Sequence, residues 1–238
     1  MIRDLIVLVW YGTVAAVYVR PLFAHLSTRI ALDAGDPALN AAVLAWNAKV
    51  LPFTAAWWNQ PWFYPATGVT TFTENLVGLA PISTPIYWLT QNAVVTYNLT
   101  FFATWPLCAF AAYLLVRRVT GRMDAGILAG LAFGFTPYRA SAALGHLQSL
   151  SAFWLPIALC ALHGYVSDGR RRWLVLFGIA WILQALANGY YLLFGAVLVG
   201  LWLAYFGSTA RTWKAGTRVI VVWAAATGAL VPILLEYK

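Results

Sequence analysis

Residues Tyr97–Val116 read YNLTFFATWPLCAFAAYLLV, and Arg117-Arg118 follow at once. Twenty residues without an Asp, Glu, Lys, Arg or His match the length a helix needs to cross roughly 30 Å of hydrocarbon. A soluble helix of that length would carry a charged face, and this one carries none. The fold is decided here: the stretch reads as a membrane-spanning helix closed by two arginines.

Working outward, six more segments share the character: Leu5–Ala24, Ala125–Phe135, Leu147–Val166, Trp173–Ala187, Tyr190–Phe206 and Val219–Leu235. Ala125–Phe135 and Trp173–Ala187 are short, so they either tilt against neighbours or stop inside the bundle. The composition agrees. Hydrophobic residues make up 62% of the 238 and charged residues 9%, where a globular protein carries roughly 25% charged. Fifteen Lys and Arg with seven Asp and Glu cannot cover a soluble surface of this size. Soluble, disordered, nucleic-acid-binding and disulfide-scaffold classes are excluded. Cys108 and Cys160 both lie in apolar sequence and read as small core residues. The expectation is an all-α, polytopic transmembrane bundle of seven spans, a single membrane domain over residues 1–238.

The basic residues orient it. Arg3, Arg117, Arg118, Arg122, Arg170, Arg171, Arg172, Arg211, Lys214 and Arg218 fall on one side; Arg20, Arg29, Lys49, Arg139 and Lys238 fall on the other. The positive-inside rule places the first group, with the amino terminus, in the cytoplasm. Asp4, Arg20 and the lack of a small-x-small site make residues 1–24 an uncleaved anchor rather than a signal peptide. Gly126, Gly130 and Gly134 stand four apart, a ridge that admits another helix closely. Asn98-Leu99-Thr100 matches a glycosylation sequon by chance, because it opens a span.

Residues 25–96 form an outer loop too long for a connector. Within it Asp36-Pro37 reads as an N-cap with proline in the first turn. The helix expected over 37–51 sets Asn40 and Asn47 on one strip and Leu39, Trp46 and Val50 on the next, and would lie along the outer interface. A second segment, 73–90, starts Thr-Glu-Asn and turns apolar around Pro81 and Pro85, as an interfacial or re-entrant helix would. Trp57, Trp58, Trp62, Phe63 and Tyr64 read either as interface anchors or as a ligand-stacking surface.

Four acids face outward: Asp33, Asp36, Glu74 and Glu236. An acid at a membrane boundary is costly without a partner, so each is either structural or functional. Asp36 has the alternative task of a helix cap, and Glu74 that of a charge at a helix start; Asp33 has no evident local task. Arg139, His146 and Gln148 fall at the same face, near the turn Asn188-Gly189-Tyr190-Tyr191. Arg139 suits a phosphate, or else snorkels to headgroups; His146 reads as a histidine satisfied by a carbonyl or as part of a site. There is no metalloprotease helix, no Cys-x-x-Cys, no phosphate-cradling loop and no nucleophile elbow. Carboxylates, one Arg and one His on an apolar bundle fit chemistry on a lipid phosphate.

With Leu32-Asp33-Ala34-Gly35-Asp36-Pro37 soon after the first span, the long first outer loop and the cytoplasmic amino terminus, the chain resembles the GT-C class of membrane glycosyltransferases. The resemblance is one of topology over the whole chain. It implies sugar transfer from a polyprenyl-phosphate donor to an acceptor outside a bacterial inner (plasma) membrane, in building the cell envelope. It also implies a base or metal-ligand role for Asp33 and Asp36 and room for a divalent metal; the placement of Glu74, Arg139, His146 and Gln148 on the outer face suggests substrate binding for those four. Expected partners are the lipid-linked donor and membrane lipids, not nucleic acid. The paired Asp-Glu of the mannosyltransferase branch is absent, and the class continues past where this chain ends, so either a piece of a longer enzyme or a reduced relative is expected. A transporter or flippase is the alternative; it calls for inverted repeats and charges buried within spans, neither of which the sequence shows.

Overall fold

The computed structural model describes residues 2–141, 145–207 and 213–237. Every regular element among them is helical. The longer helices are α1 (Ile2–Tyr18), α2 (Asp36–Lys49), α3 (Ala80–Thr90), α4 (Ala93–Thr120), α5 (Met123–Gly134), α6 (Trp154–Asp168), α7 (Arg171–Ala187), α8 (Tyr190–Trp202), α9 (Trp213–Gly228) and α10 (Val231–Glu236). Four stretches are long and apolar enough to cross a membrane: Ala93–Thr120, Leu147–Asp168, Tyr190–Gly207 and Trp213–Glu236. α1, α5 and α7 are shorter. In the last two stretches little of the apolar surface is buried within the protein, and Leu198, Leu201 and Val221 stand open on them. Such a surface suits lipid.

The helices run up and down between two ends. At the arginine-rich end, Arg117 at the close of α4 pairs with Asp4 at the start of α1. Arg118 Nη2 lies 2.7 Å from Asp168 at the close of α6, and Arg218 of α9 donates to the Tyr165 hydroxyl at 3.2 Å. Glycine at positive φ ends both α4 (Gly121, +73°) and α6 (Gly169, +67°), the conformation an L side chain resists at a helix C-terminus. The small-residue ridge behaves as expected. α5 packs so closely on α4 and α1 that a Cβ at Gly126 would lie 2.9 Å from Tyr113, and one at Gly130 would collide with the Tyr11 hydroxyl. That hydroxyl donates to the Ile127 carbonyl at 2.9 Å.

The opposite end carries the long loop. The expected helix is present as α2, opening at Asp36 after Gly35, so Asp36 is the first helical residue rather than the cap. Its orientation corrects the expectation. Asn40 and Asn47 are buried, and their amides find partners inside: Asn40 reaches Gln148 Oε1 at 3.3 Å, and Asn47 donates to the Asn75 carbonyl at 2.7 Å and accepts from Trp57 Nε1 at 2.8 Å. Val43 and Leu44 are also fully buried on α2, each worth about 1.5–3 kcal/mol on leaving water. The helix is thus a plug packed into the bundle's end, with α3 latched to it by Trp88 Nε1 on the Ala48 carbonyl at 2.9 Å. Trp57 is buried too, in a cluster with Val77, Leu186 and Leu230; Phe63 and Tyr64 are exposed, as interface anchors would be. The 73–90 segment is helical only later than expected. Leu76 takes a left-handed turn at φ +55°, a short 3₁₀ turn follows over Val77–Leu79, and α3 begins at Ala80 with Pro81 in its first turn. Asn98 is no modification site in this setting. Its buried amide donates to the Leu26 and Arg29 carbonyls at 2.8 Å each and ties the loop's start to α4.

Candidate functional site

The loop-bearing end brings α2 against the turn that leads into Leu147–Leu150. Gly35 precedes the helix, and its N–H is bound by Asp33 Oδ1 at 2.8 Å. That bond closes a tight Asx turn and spends one oxygen of Asp33 on the loop itself. The turn aims Asp36 outward across to His146, whose Nε2 lies 3.3 Å from Asp36 Oδ2. Both side chains are about half exposed, at 55% and 50%. One helical turn along α2, Asn40 Nδ2 reaches Gln148 Oε1 at 3.3 Å. Two independent contacts therefore lock α2 to the same turn.

Gln148 also lines the first of two cavities, about 470 Å³, walled by Leu186, Leu192, Leu230 and Ile233 and entered past Glu74, Asn75 and Tyr237. Glu74 sits at a helix N-terminus, but not the one expected. α3 starts six residues later, whereas Glu74 Oε2 accepts from the N–H of Gly189 at 3.1 Å, directly before α8. Burial pushes the Glu74 carboxyl above its ordinary value, and the Gly189 N–H offsets part of the rise. Asn75 Nδ2 donates to the Tyr237 hydroxyl at 3.0 Å, and both residues line the cavity.

The second cavity, about 320 Å³, is an apolar groove formed by Val19, Leu22, Ile30, Leu32 and Phe101, with His25 and Arg29 on it. Leu32 lies close enough to Gly145, the residue before His146, that a Cβ there would be 3.3 Å from its side chain.

Arg139 lies elsewhere. It is 5% exposed, with Nε on the Gly134 carbonyl at 3.0 Å, Nη1 on Leu150 at 2.7 Å and Nη2 on Thr104 at 3.2 Å. Its plane stands over the Trp105 ring at 5.2 Å. The guanidinium therefore ties three backbone segments together and faces inward, away from any outer phosphate. Of the six residues singled out by sequence, Asp36 and His146 come together, Gln148 joins them through Asn40, and Glu74 shares a cavity with Gln148. Asp33 serves the turn, and Arg139 the core. His25 and Arg29 were not singled out as site residues; they sit on the short turn after the first span (Arg29 N to the His25 carbonyl, 3.0 Å).

No protein-family model, curated protein or solved structure matches this chain. Its chemistry rests on the geometry alone. Among the described residues no group of three His, Cys, Asp or Glu side chains could hold a metal ion. Asp36 and His146 supply two donors, one short of such a group, so no step is assigned to a metal.

Proposed function

We propose that the protein is a seven-span membrane glycosyltransferase of the GT-C kind, acting at its loop-bearing, outer end on a polyprenyl-phosphate sugar. The observation that carries the reading is the Asp36–His146 contact at 3.3 Å, a half-exposed carboxylate held by an imidazole at the loop-bearing end. Asp36 takes the proton of an acceptor hydroxyl as that oxygen attacks the anomeric carbon. The bond from the anomeric carbon to the phosphate oxygen breaks, and the polyprenyl phosphate leaves with the electron pair. His146 positions the carboxylate. The donor's phosphate meets His25 and Arg29, and the start of its hydrocarbon follows Leu22, Ile30 and Phe101. The cavity beside Gln148 and Glu74 has the size and the mixed lining that an acceptor needs.

The test is donor discharge. Membranes carrying the protein are given polyprenyl-phosphate hexoses and pentoses, and release of polyprenyl phosphate is measured. A positioned base is worth about 10²–10⁴-fold in rate, so Asp36→Asn should lose activity on that scale at equal expression, whereas Asp33→Asn, which keeps an oxygen for the Gly35 N–H, should stay within severalfold of the parent. Equal activity in Asp36→Asn and the parent would reject the assignment.

A further inference from the structure

The arginine-rich end holds a cavity that the outer chemistry does not use. It measures about 700 Å³ and lies between the start of α1, the ends of α4 and α6, and the starts of α5 and α7. Its mouth is cationic. Arg3, Arg117 and Arg118 line it, against the carboxylates of Asp4 and Asp168. Arg117 is engaged with Asp4 and with the Tyr113 hydroxyl through Nη1 alone. Arg118 donates to Asp168 through Nη2, while its Nε is buried without a partner. Arg3 forms no ion pair among the described residues. Trp173 makes a rigid floor: its ring lies 4.4 Å below Arg118 and 5.2 Å from Arg172, and its Nε1 donates to Asp168 at 3.1 Å.

Beyond the mouth the walls turn apolar, through Leu114, Leu176 and Ile157. Ile157 lies eleven residues up α6 from Asp168, a depth of about 16 Å along the helix. A free phosphate needs the arginines but none of that depth. A ligand with an anionic head and a hydrocarbon chain uses both.

We propose that this cavity is a binding site for an anionic phospholipid, with its phosphate among Arg3, Arg117 and Arg118 and one acyl chain running toward Ile157. The physical basis is general. Guanidinium groups bind phosphate through paired N–H donors, and basic pockets between helices at the cytoplasmic face collect anionic headgroups. The site is independent of the outer reading, since no residue at the Asp36 end takes part.

The test titrates the full chain in detergent micelles with dioleoyl phosphatidylglycerol or dioleoyl phosphatidylcholine and counts retained lipid by native mass spectrometry. One phosphatidylglycerol should be held at least tenfold more tightly than phosphatidylcholine. Arg3→Gln should weaken it about fivefold, and Arg3→Gln with Arg118→Gln about 25-fold, from about 1 kcal/mol per basic residue. Ile157→Trp, which fills the apolar depth without changing charge, should release the lipid as well. Equal retention of both lipids overturns the proposal, as does undiminished phosphatidylglycerol binding in Arg3→Gln and Ile157→Trp. Displacement of the lipid by millimolar inorganic phosphate also overturns it, because the site would then be one for a free anion. Should Arg118→Gln fail to fold, the two other variants decide, since Arg3 forms no ion pair among the described residues and Ile157 carries no charge.

Discussion

Single residues at the loop-bearing end divide by what their polar atoms already hold. Arg139 gives Nε, Nη1 and Nη2 to the carbonyls of Gly134, Leu150 and Thr104, so its charge is a structural rivet. Replacing it leaves buried acceptors dry, at about 1–3 kcal/mol for each carbonyl without a donor. Arg139→Gln is therefore expected to lower the thermal midpoint in detergent while donor discharge per folded molecule stays near the parent's. A selective loss of donor affinity at unchanged stability would return Arg139 to the phosphate. Glu74 presents the opposite balance, because burial outweighs its single bond from Gly189 and raises its pKa above the ordinary 4.5. The folded protein then keeps that proton to higher pH than the unfolded chain does. Its contribution to stability is complete below about pH 4.5 and is lost as pH rises through the raised value. Melting curves taken from pH 4 to 7 should show a decline in the parent that Glu74→Gln flattens. An identical slope in both would show that another group sets it.

At the scale of elements, the closest packing is where α5 meets α1 and α4. A methyl at Gly130 has nowhere to go, with the Tyr11 hydroxyl and the Ala109 carbonyl both in its place. Overpacking of this sort costs about 1–3 kcal/mol, so Gly130→Ala should melt earlier. Gly12 on α1 has nothing within 4 Å of a Cβ, and Gly12→Ala should be neutral or gain up to about 1 kcal/mol from helix propensity. If both variants melt together, the ridge is not a contact. Elements of this kind are legible in sequence because their signals are local. Glycines four apart, a proline after Asp36 and apolar runs ended by arginines all act within one helix. What escaped was set by partners distant in the chain. Asn40 and Asn47 form a polar strip that looks destined for water, until Gln148, Asn75 and Trp57 bury it. Glu74 reads as the start of its own helix, yet it serves α8, 115 residues on. The fate of Arg139 was equally hidden, since an arginine near a span end looks the same whether it meets headgroups or three carbonyls. The meeting of Asp36 and His146 was foreseen only as a shared face, and the loop's Asx turn supplies the aim.

Across the whole molecule, charge and architecture place two distinct surfaces at opposite ends of one bundle. One end gathers Arg117, Arg118, Arg170, Arg171 and Arg172 around the turns that close α4 and α6; the other gathers α2, α3, Asp36, His146 and two cavities. Loops rich in arginine stay on the cytoplasmic side during insertion, so the site end is expected outside. The helices between these ends tie the two assignments together, because each antiparallel pass that reaches one side must return from the other. Cysteine labelling reads this directly. In a background with Cys160 replaced by Ser (Cys108 being buried), Thr67→Cys in the long loop should react with a membrane-impermeant maleimide in intact cells. Thr120→Cys, exposed at the end of α4, should react only after permeabilisation. Labelling of Thr120→Cys in intact cells would invert the molecule: the Asp36–His146 pair would then face the cytoplasm, where a polyprenyl-phosphate donor presented outside could not reach it. The arginine cavity would face outward, away from the leaflet richest in anionic lipid. One labelling pattern thus bears on both proposals, while discharge and lipid retention test each separately.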